Sequence, residues 1–301
     1  MPEYPDVTVY IERLSALTRG QRLEQVRLKS PFLLRSYDPP LSATFHKRVL
    51  GFRRIGKRIV TALEDDLFLV LHLMIAGRLR QREAGVPLKA KTDLAAFEFS
   101  DSSFVLTEAG TQKRASLHVV QGEAQLSNFS RGGVDPFKVS LAEFCAALQR
   151  ENRTLKRALT DPSIVDGVGN AYSDEILHRA RLSPVKRTHQ LTPEEGQRLY
   201  ESCCVTLELW TERLRKEVGN AFPDKVTAFR EGMAVHGRFG QPCPTCHTKV
   251  QRIRYASNEV NYCPECQTNG RLLADRGLSR LLKGDWPKSL DELEERLGRG
   301  S

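Results

Sequence analysis

Cys243, Cys246, Cys263 and Cys266 stand as two Cys-x2-Cys pairs separated by residues 247–262. Each pair forms a knuckle that aims two thiolates at one point, and two knuckles at this spacing make a tetrahedral site for Zn2+, with Zn–S bonds of about 2.3 Å. Four sulfur ligands leave no open coordination position, so the expected ion is structural and cannot activate a water. Lys249, Arg252 and Arg254 lie between the pairs, where they can set positive charge near phosphates, or simply form a solvated basic face. The remaining cysteines, Cys145, Cys203 and Cys204, read as small buried hydrophobes of a reducing compartment.

The rest of the 301-residue chain has the balance of a globular protein, with 40% hydrophobic and 28% charged residues. That length suggests two or three domains. No apolar run is long enough to span a bilayer, and residues 1–10 lack the blocks of a secretory signal, so a cytoplasmic location is expected. Lys and Arg number 46 against 37 Asp and Glu, a net charge of +9 that favours polyanionic partners.

Periodicity divides the chain. Val7, Tyr10, Ile11 and Leu14 after Pro5 have helical spacing. From Arg22 to Val119 short β-rich runs follow, among them Arg58–Leu63, Leu67–Leu73 and Phe104–Thr107, which predict a β-sandwich or barrel. Gly and Pro in Ser130–Pro136 mark a boundary. Capping boxes at Ser140/Glu143 and Thr192/Glu195 then start helices, and between them Asp161–Pro184 reads as helix, glycine hinge and helix. In the tail, Leu278, Leu281 and Leu282 precede a further box at Ser289/Glu292, ahead of Leu293 and Leu297.

Three more features bear on chemistry. The chain opens MPEYPD, and removal of Met1 would expose the secondary amine of Pro2. An α-amino group titrates near 8 against about 10.4 for Lys, so far more of it is nucleophilic at neutral pH, and attack on an aldehyde-level carbon gives a cationic iminium. Glu3 stands next to it to carry protons. Many chains begin Met-Pro without consequence. The hinge Gly167-Val168-Gly169-Asn170 allows close backbone approach to a phosphate, or is a plain helix-hairpin turn. Lys47, Arg48, Arg53, Arg54, Lys57 and Arg58 form a basic cluster at a strand start, and His72 follows an apolar strand, the position of an ordinary structural histidine.

Taken in order, these motifs resemble the Fpg/Nei (formamidopyrimidine-DNA glycosylase and endonuclease VIII) family over residues 2–266: MPEYPD against the family's Met-Pro-Glu-Leu-Pro-Glu, Asp161 with GVGNAYSDEIL against the helix-two-turn-helix signature, and VHGRFGQPC through CPEC against the zinc finger. The resemblance implies a bifunctional base-excision enzyme. Pro2 would be the nucleophile on C1′ of the damaged nucleotide, Glu3 the general acid/base, and Lys57 a phosphate contact near the lesion. Lys156 and Asn170 would grip phosphates beside the flipped nucleotide, with Gly169 permitting close approach. The nucleotide must leave the stack before its sugar can be attacked, at a cost of a few kcal/mol.

Departures from the family pattern fall at the parts that read the base. The second N-terminal glutamate is Asp6, one methylene shorter, which leaves its role open. Where the family carries a Met wedge in HLGMSG, this chain has Met74 and Ile75, and either can supply an apolar wedge. The loop of consecutive Arg and a Phe is replaced by EAGTQKRAS, leaving Lys113 and Arg114 as candidates to contact DNA. Asn258 replaces a zinc-finger Arg that would fork onto a phosphate, a weaker donor that Arg252 or Arg254 can offset. Residues beyond Cys266 lie outside the family pattern; packing on the helical domain is expected of them.

The expected fold is α+β and multidomain: an N-terminal helix with a β-sandwich (residues 1–133), a helical helix-two-turn-helix domain (134–228), a C-terminal zinc finger with four cysteine ligands (229–270) and an extension (271–301). The expected partner is double-stranded DNA with a damaged base or abasic site, met by a monomer with one structural Zn2+. A non-catalytic binder of damaged DNA on the same scaffold is the competing expectation, and a zinc-ribbon protein of RNA a third. The lesion excised is not legible.

Overall fold

The computed structural model describes residues 1–224, 226–255, 258–274, 286–290, 292, 293 and 295. The chain divides into two compact units, Met1–Arg131 with Glu208–Ala228, and Gly132–Leu207 with Phe229–Ser301. No helix among the described residues is long and apolar enough to cross a membrane.

The first unit opens with α1, Tyr4–Thr18, whose Val7, Tyr10 and Leu14 turn inward at helical spacing as the sequence predicts. Nine strands follow: β1 Arg22–Leu23, β2 Gln25–Leu28, β3 Lys47–Ile55, β4 Arg58–Leu63, β5 Leu67–His72, β6 Gly77–Glu83, β7 Asp93–Glu98, β8 Ser102–Glu108 and β9 Ser116–Gln121. They make two antiparallel sheets, ordered β1-β3-β4-β5-β9 and β2-β7-β8-β6. Inward residues of both, such as Ile59, Leu69, Leu79 and Leu106, share one core with α1. The unbroken apolar run of β5 follows from burial on both faces: Leu67, Leu69 and Leu71 enter that core, while Phe68 and Val70 pack with Val60, Val120 and Leu126 in a second cluster.

Two turns of this unit are fixed by glycine. Ile55 pairs with Arg58 across a two-residue loop in which Gly56 (φ 62°) takes the positive-φ first position of a type II′ turn, leaving Lys57 at its tip. In the β5–β6 turn the Gly77 amide bonds the Leu73 carbonyl at 2.9 Å, and a Cβ at Gly77 would lie 2.1 Å from that oxygen. No other residue fits there.

Residues 208–228 belong to this unit and not with the rest of the 134–228 stretch. Phe222 enters the sandwich core beside Tyr10 and Phe104, with ring centroids 5.5 and 5.0 Å away. The Arg13 guanidinium bonds the Asn220 carbonyl, Arg78 Nε donates to the Val226 carbonyl at 2.5 Å, and Arg215 Nε donates to Glu12 at 2.9 Å. An aromatic plug of this kind is invisible to periodicity.

The second unit carries α2 Leu141–Gln149, α3 Leu155–Thr160, α4 Asn170–Arg179 and the start of α5 Pro193–Val218, then the hairpin β10 Gln251–Arg254 with β11 Glu259–Tyr262, and α6 Pro264–Thr268. Both expected capping boxes are present: Glu143 N–H donates to Ser140 Oγ at 3.3 Å, and Glu195 N–H to Thr192 Oγ1 at 3.3 Å. In the tail Glu292 N–H donates to Ser289 Oγ at 3.2 Å. Leu278, Leu281, Leu282 and Leu297 lie outside the described residues. The start of the extension packs on the finger hairpin: Leu273 N–H donates to the Tyr262 hydroxyl at 2.7 Å, and Leu272 N–H to the Lys288 carbonyl at 2.9 Å.

Gly77→Ala should cost about 1–3 kcal/mol in urea unfolding, because the backbone of Leu73 must move. Gly51→Ala, with nothing within 4 Å of its Cβ position, should cost nothing measurable. Equal midpoints for the two variants would refute the assignment.

Candidate nucleic-acid interface and metal centre

The amino-terminal segment lies in the first unit as a buried, acid-lined end of α1. Pro2 and Glu3 are buried, and Asp6 is 4% exposed. Asp6 Oδ2 accepts the Glu3 backbone N–H at 2.9 Å, which satisfies a donor of the first helical turn and fixes the peptide that follows Pro2. The shorter carboxylate therefore reaches a definite partner. Burial draws the Met1 α-amino group below its usual value; Arg78 and Lys57 act in the same direction, and Glu3 and Asp6 oppose them. The four charged groups come from three places: Glu3 and Asp6 from the start of α1, Lys57 from the β3–β4 turn and Arg78 from β6. The Arg54 guanidinium stacks 4.4 Å over the Tyr4 ring and donates to the Gly56 carbonyl at 2.7 Å, linking this segment to the Lys57 turn. Partly buried His72 is drawn down to about 4, first by burial and then by Arg58 and Lys57.

Of the two wedge candidates, Ile75 is the exposed one, at 57%, on the β5–β6 turn; Met74 is partly buried with φ 54°. Arg78 holds the turn by donating to the carbonyls of Ile75 at 3.2 Å and Gly77 at 2.7 Å. The EAGTQKRAS loop adjoins it, since a Cβ at Gly110 would sit 3.8 Å from Ala76. Sequence reading missed the organiser of this loop, buried Glu108, whose carboxylate accepts the backbone N–H groups of Arg114 (3.0 Å) and Ala115 (3.2 Å). Lys113 bends back to the Glu108 carbonyl, while the Arg114 side chain is exposed and bonds Gln112 at 2.7 Å.

In the second unit the hinge Gly167–Gly169 is buried, with Gly167 at φ 82°. Lys156, 7% exposed, donates to the Asn170 carbonyl and to Asp174 Oδ1, each at 2.6 Å. Asn170 Nδ2 donates to the Glu259 carbonyl of β11 at 3.1 Å, and its Oδ1 is buried without a hydrogen-bond partner. Both side chains thus direct these donors to protein partners and brace the hinge.

Sequence reading also missed what α4 does along its length. Asp174 Oδ2 meets His236 Nδ1 at 2.8 Å. Glu175 accepts the backbone N–H groups of Ala234, Val235 and His236 at 2.7–2.9 Å. Burial pushes the Glu175 carboxyl up while those amides pull it down. His178 Nε2 lies 3.3 Å from Cys243 Sγ. The signal was available as polar residues at positions 170, 174, 175 and 178, one stripe of a helix whose residues 171–178 are all buried.

All four expected cysteines converge. Their sulfurs lie within 4.8 Å of one another, with separations of 3.9 Å (Cys243–Cys266), 3.3 Å (Cys246–Cys263) and 3.5 Å (Cys246–Cys266). A tetrahedron with metal–sulfur bonds of about 2.3 Å has sulfurs about 3.8 Å apart, so the donor set fits one thiophilic ion. Backbone amides of Thr245 and Cys266 point at Cys243 Sγ (3.4 Å) and Cys263 Sγ (3.5 Å), which suits thiolates. On the finger hairpin, Arg252 stacks 4.1 Å over Phe239 and pairs with Glu259 at 3.4 Å, while Arg254 and Asn258 are exposed near its tip.

Residues 1–114 match the model of the formamidopyrimidine-DNA glycosylase N-terminal domain, and residues 133–218 that of the formamidopyrimidine-DNA glycosylase H2TH domain. A formamidopyrimidine-DNA glycosylase of Heliobacterium modesticaldum is 31% identical over 282 residues, covering 89% of this chain and 100% of that protein. An uncharacterised formamidopyrimidine-DNA glycosylase-like protein of Mycobacterium tuberculosis is 38% identical over 151 residues, covering 50% of this chain and 94% of its own. Lactococcus lactis Fpg, solved with DNA containing an abasic site, shares the fold at a TM-score of 0.76 and 23% identity, covering 88% of this chain and 99% of that one. With two domain models in order and likeness along the whole of a relative, the chain belongs to the formamidopyrimidine-DNA glycosylase family.

Proposed function

We propose that this protein is a bifunctional DNA glycosylase and abasic-site lyase of base excision repair, acting as a monomer on double-stranded DNA that carries a damaged base. The observation that carries the reading is the convergence of Glu3, Asp6, Lys57 and Arg78 on a buried amino terminus. Once Met1 is removed, the same charges face the nitrogen of Pro2, one residue along. Burial and the two cations disfavour the protonated form of that amine, and so favour the form with a lone pair to give.

The steps follow from that lone pair. The Pro2 nitrogen bonds to C1′ as the glycosidic bond breaks, and the base leaves with its electron pair and gains a proton. Opening of the sugar ring turns the C1′–N bond into an iminium. That cation acidifies C2′; loss of a C2′ proton then expels the 3′ phosphate and nicks the strand. Glu3 is the proton carrier at C1′ and C2′. Asp6 holds the Pro2–Glu3 peptide in place, and Lys57 supplies charge for a backbone phosphate. Exposed Ile75 is the wedge, carried on a turn that glycine and Arg78 keep rigid. Lys156 spends two of its three N–H donors and the Asn170 amide one of its two on protein partners, so one donor of each is left over for a phosphate. Cys243, Cys246, Cys263 and Cys266 would hold one Zn2+, which supplies folding free energy to the finger and no Lewis acidity to the reaction. Arg254 and Asn258 are exposed near the hairpin tip, where they would meet the duplex backbone.

Borohydride should trap the untagged protein on abasic-site DNA, and Pro2→Gly should abolish the adduct; equal trapping by the variant would mean another nucleophile. Because the Pro2 amine must be neutral and would meet the groups that draw the Met1 amine down, the acid limb of the trapping rate should lie below the ordinary α-amino value of about 8. Lys57→Met should move that limb upward at saturating DNA, and a limb that stays put excludes Lys57 from the site. Ile75→Ala should slow excision from duplex DNA about tenfold, with Met74→Ala much milder; the reverse order would give the wedge to Met74. Atomic emission should find one zinc per chain, lost in Cys263→Ser together with DNA affinity, and a metal-free yet fully binding protein would rule the ion out.

A further inference from the structure

Cys243 is fully buried, and its sulfur lies 3.3 Å from Nε2 of His178, itself 8% exposed. Building on the metal reading above, four thiolates around a divalent ion leave a net charge of about −2 in a partly buried site, which needs donors. The Thr245 amide supplies one to Cys243. A metal-bound thiolate has no proton to give, so a ring nitrogen at this distance meets it favourably only as an N–H donor. The finger is otherwise tied to the same helix by Asn170, Asp174 and Glu175, and His178 extends that stripe to the ion itself.

We propose that His178 is a positioning residue of the metal centre, donating an Nε2–H···S hydrogen bond to the metal-bound thiolate of Cys243 and so fixing the ion to the helix that starts at Asn170. The bond withdraws charge from sulfur and orients it, the role that outer partners of metal ligands commonly play, where loss costs 10–100-fold in metal affinity.

The test begins with the intact protein loaded with 113Cd. Nitrogen NMR should show His178 protonated at Nε2, with that proton shielded from exchange and coupled to cadmium. An Nε2 without a proton would overturn the proposal whatever any variant does. Next, His178→Leu should bind Co2+ and Zn2+ about 10–100-fold more weakly in chelator competition, and its thiolate-to-Co2+ charge-transfer band should move to lower energy. His178→Gln, which keeps an N–H donor, should recover part of both. Unchanged affinity and band position in the Leu variant would sink the proposal, as would a Gln variant no better than Leu. If the wild type binds no Co2+ at all, the metal reading fails instead.

Discussion

Two adjacent carboxylates on a buried helix, Asp174 and Glu175, hold the second unit together. A carboxylate out of water is tolerable only when its lone pairs are occupied, and these find Lys156, His236 and three successive backbone amides. The segment entering the finger therefore cannot shift without stranding a buried charge. Lys156 and Asn170 then tie the hinge to the same carboxylates and to β11. Hinge, helix and finger behave as a single polar assembly, with the four sulfurs at one end and Asn170 at the other.

The first unit solves a parallel problem with fewer parts. A buried amine is stable only when it is uncharged or has carboxylates near it. Here Asp6 accepts the Glu3 amide and Glu3 the Asp6 amide, so that the two acids hold each other's backbone at the start of the helix, beside the amino terminus. Tyr4 and Arg54 join this segment to the Lys57 turn. Precision comes from short turns with glycine at the strained positions, which is why charged groups distant in sequence can face one terminus.

Legibility followed the range of the interaction. The cysteine pairs, capping boxes, α1 and the strands around Leu67 could be read because each is decided by neighbours within a few residues. Lys156 is also recognisable as a basic residue of the helical motif, but its inward direction is set by Asp174, eighteen positions away. Glu108, Glu175 and His178 carry no such local mark, since nothing near them in sequence announces that a loop, a backbone run or a thiol will meet them. What distinguishes Ile75 from Met74 is exposure and one backbone angle, neither of which a composition of apolar residues encodes.

Phe222 and Val226 complete a core whose other members precede residue 120. During synthesis the sandwich must therefore stand open on that side while the ribosome adds residues 120–226. At about 5–20 residues per second this is a wait of roughly 5–21 s. The apolar face around Tyr10 and Phe104 is exposed throughout, so the nascent chain at this stage is where chaperone engagement and aggregation concentrate.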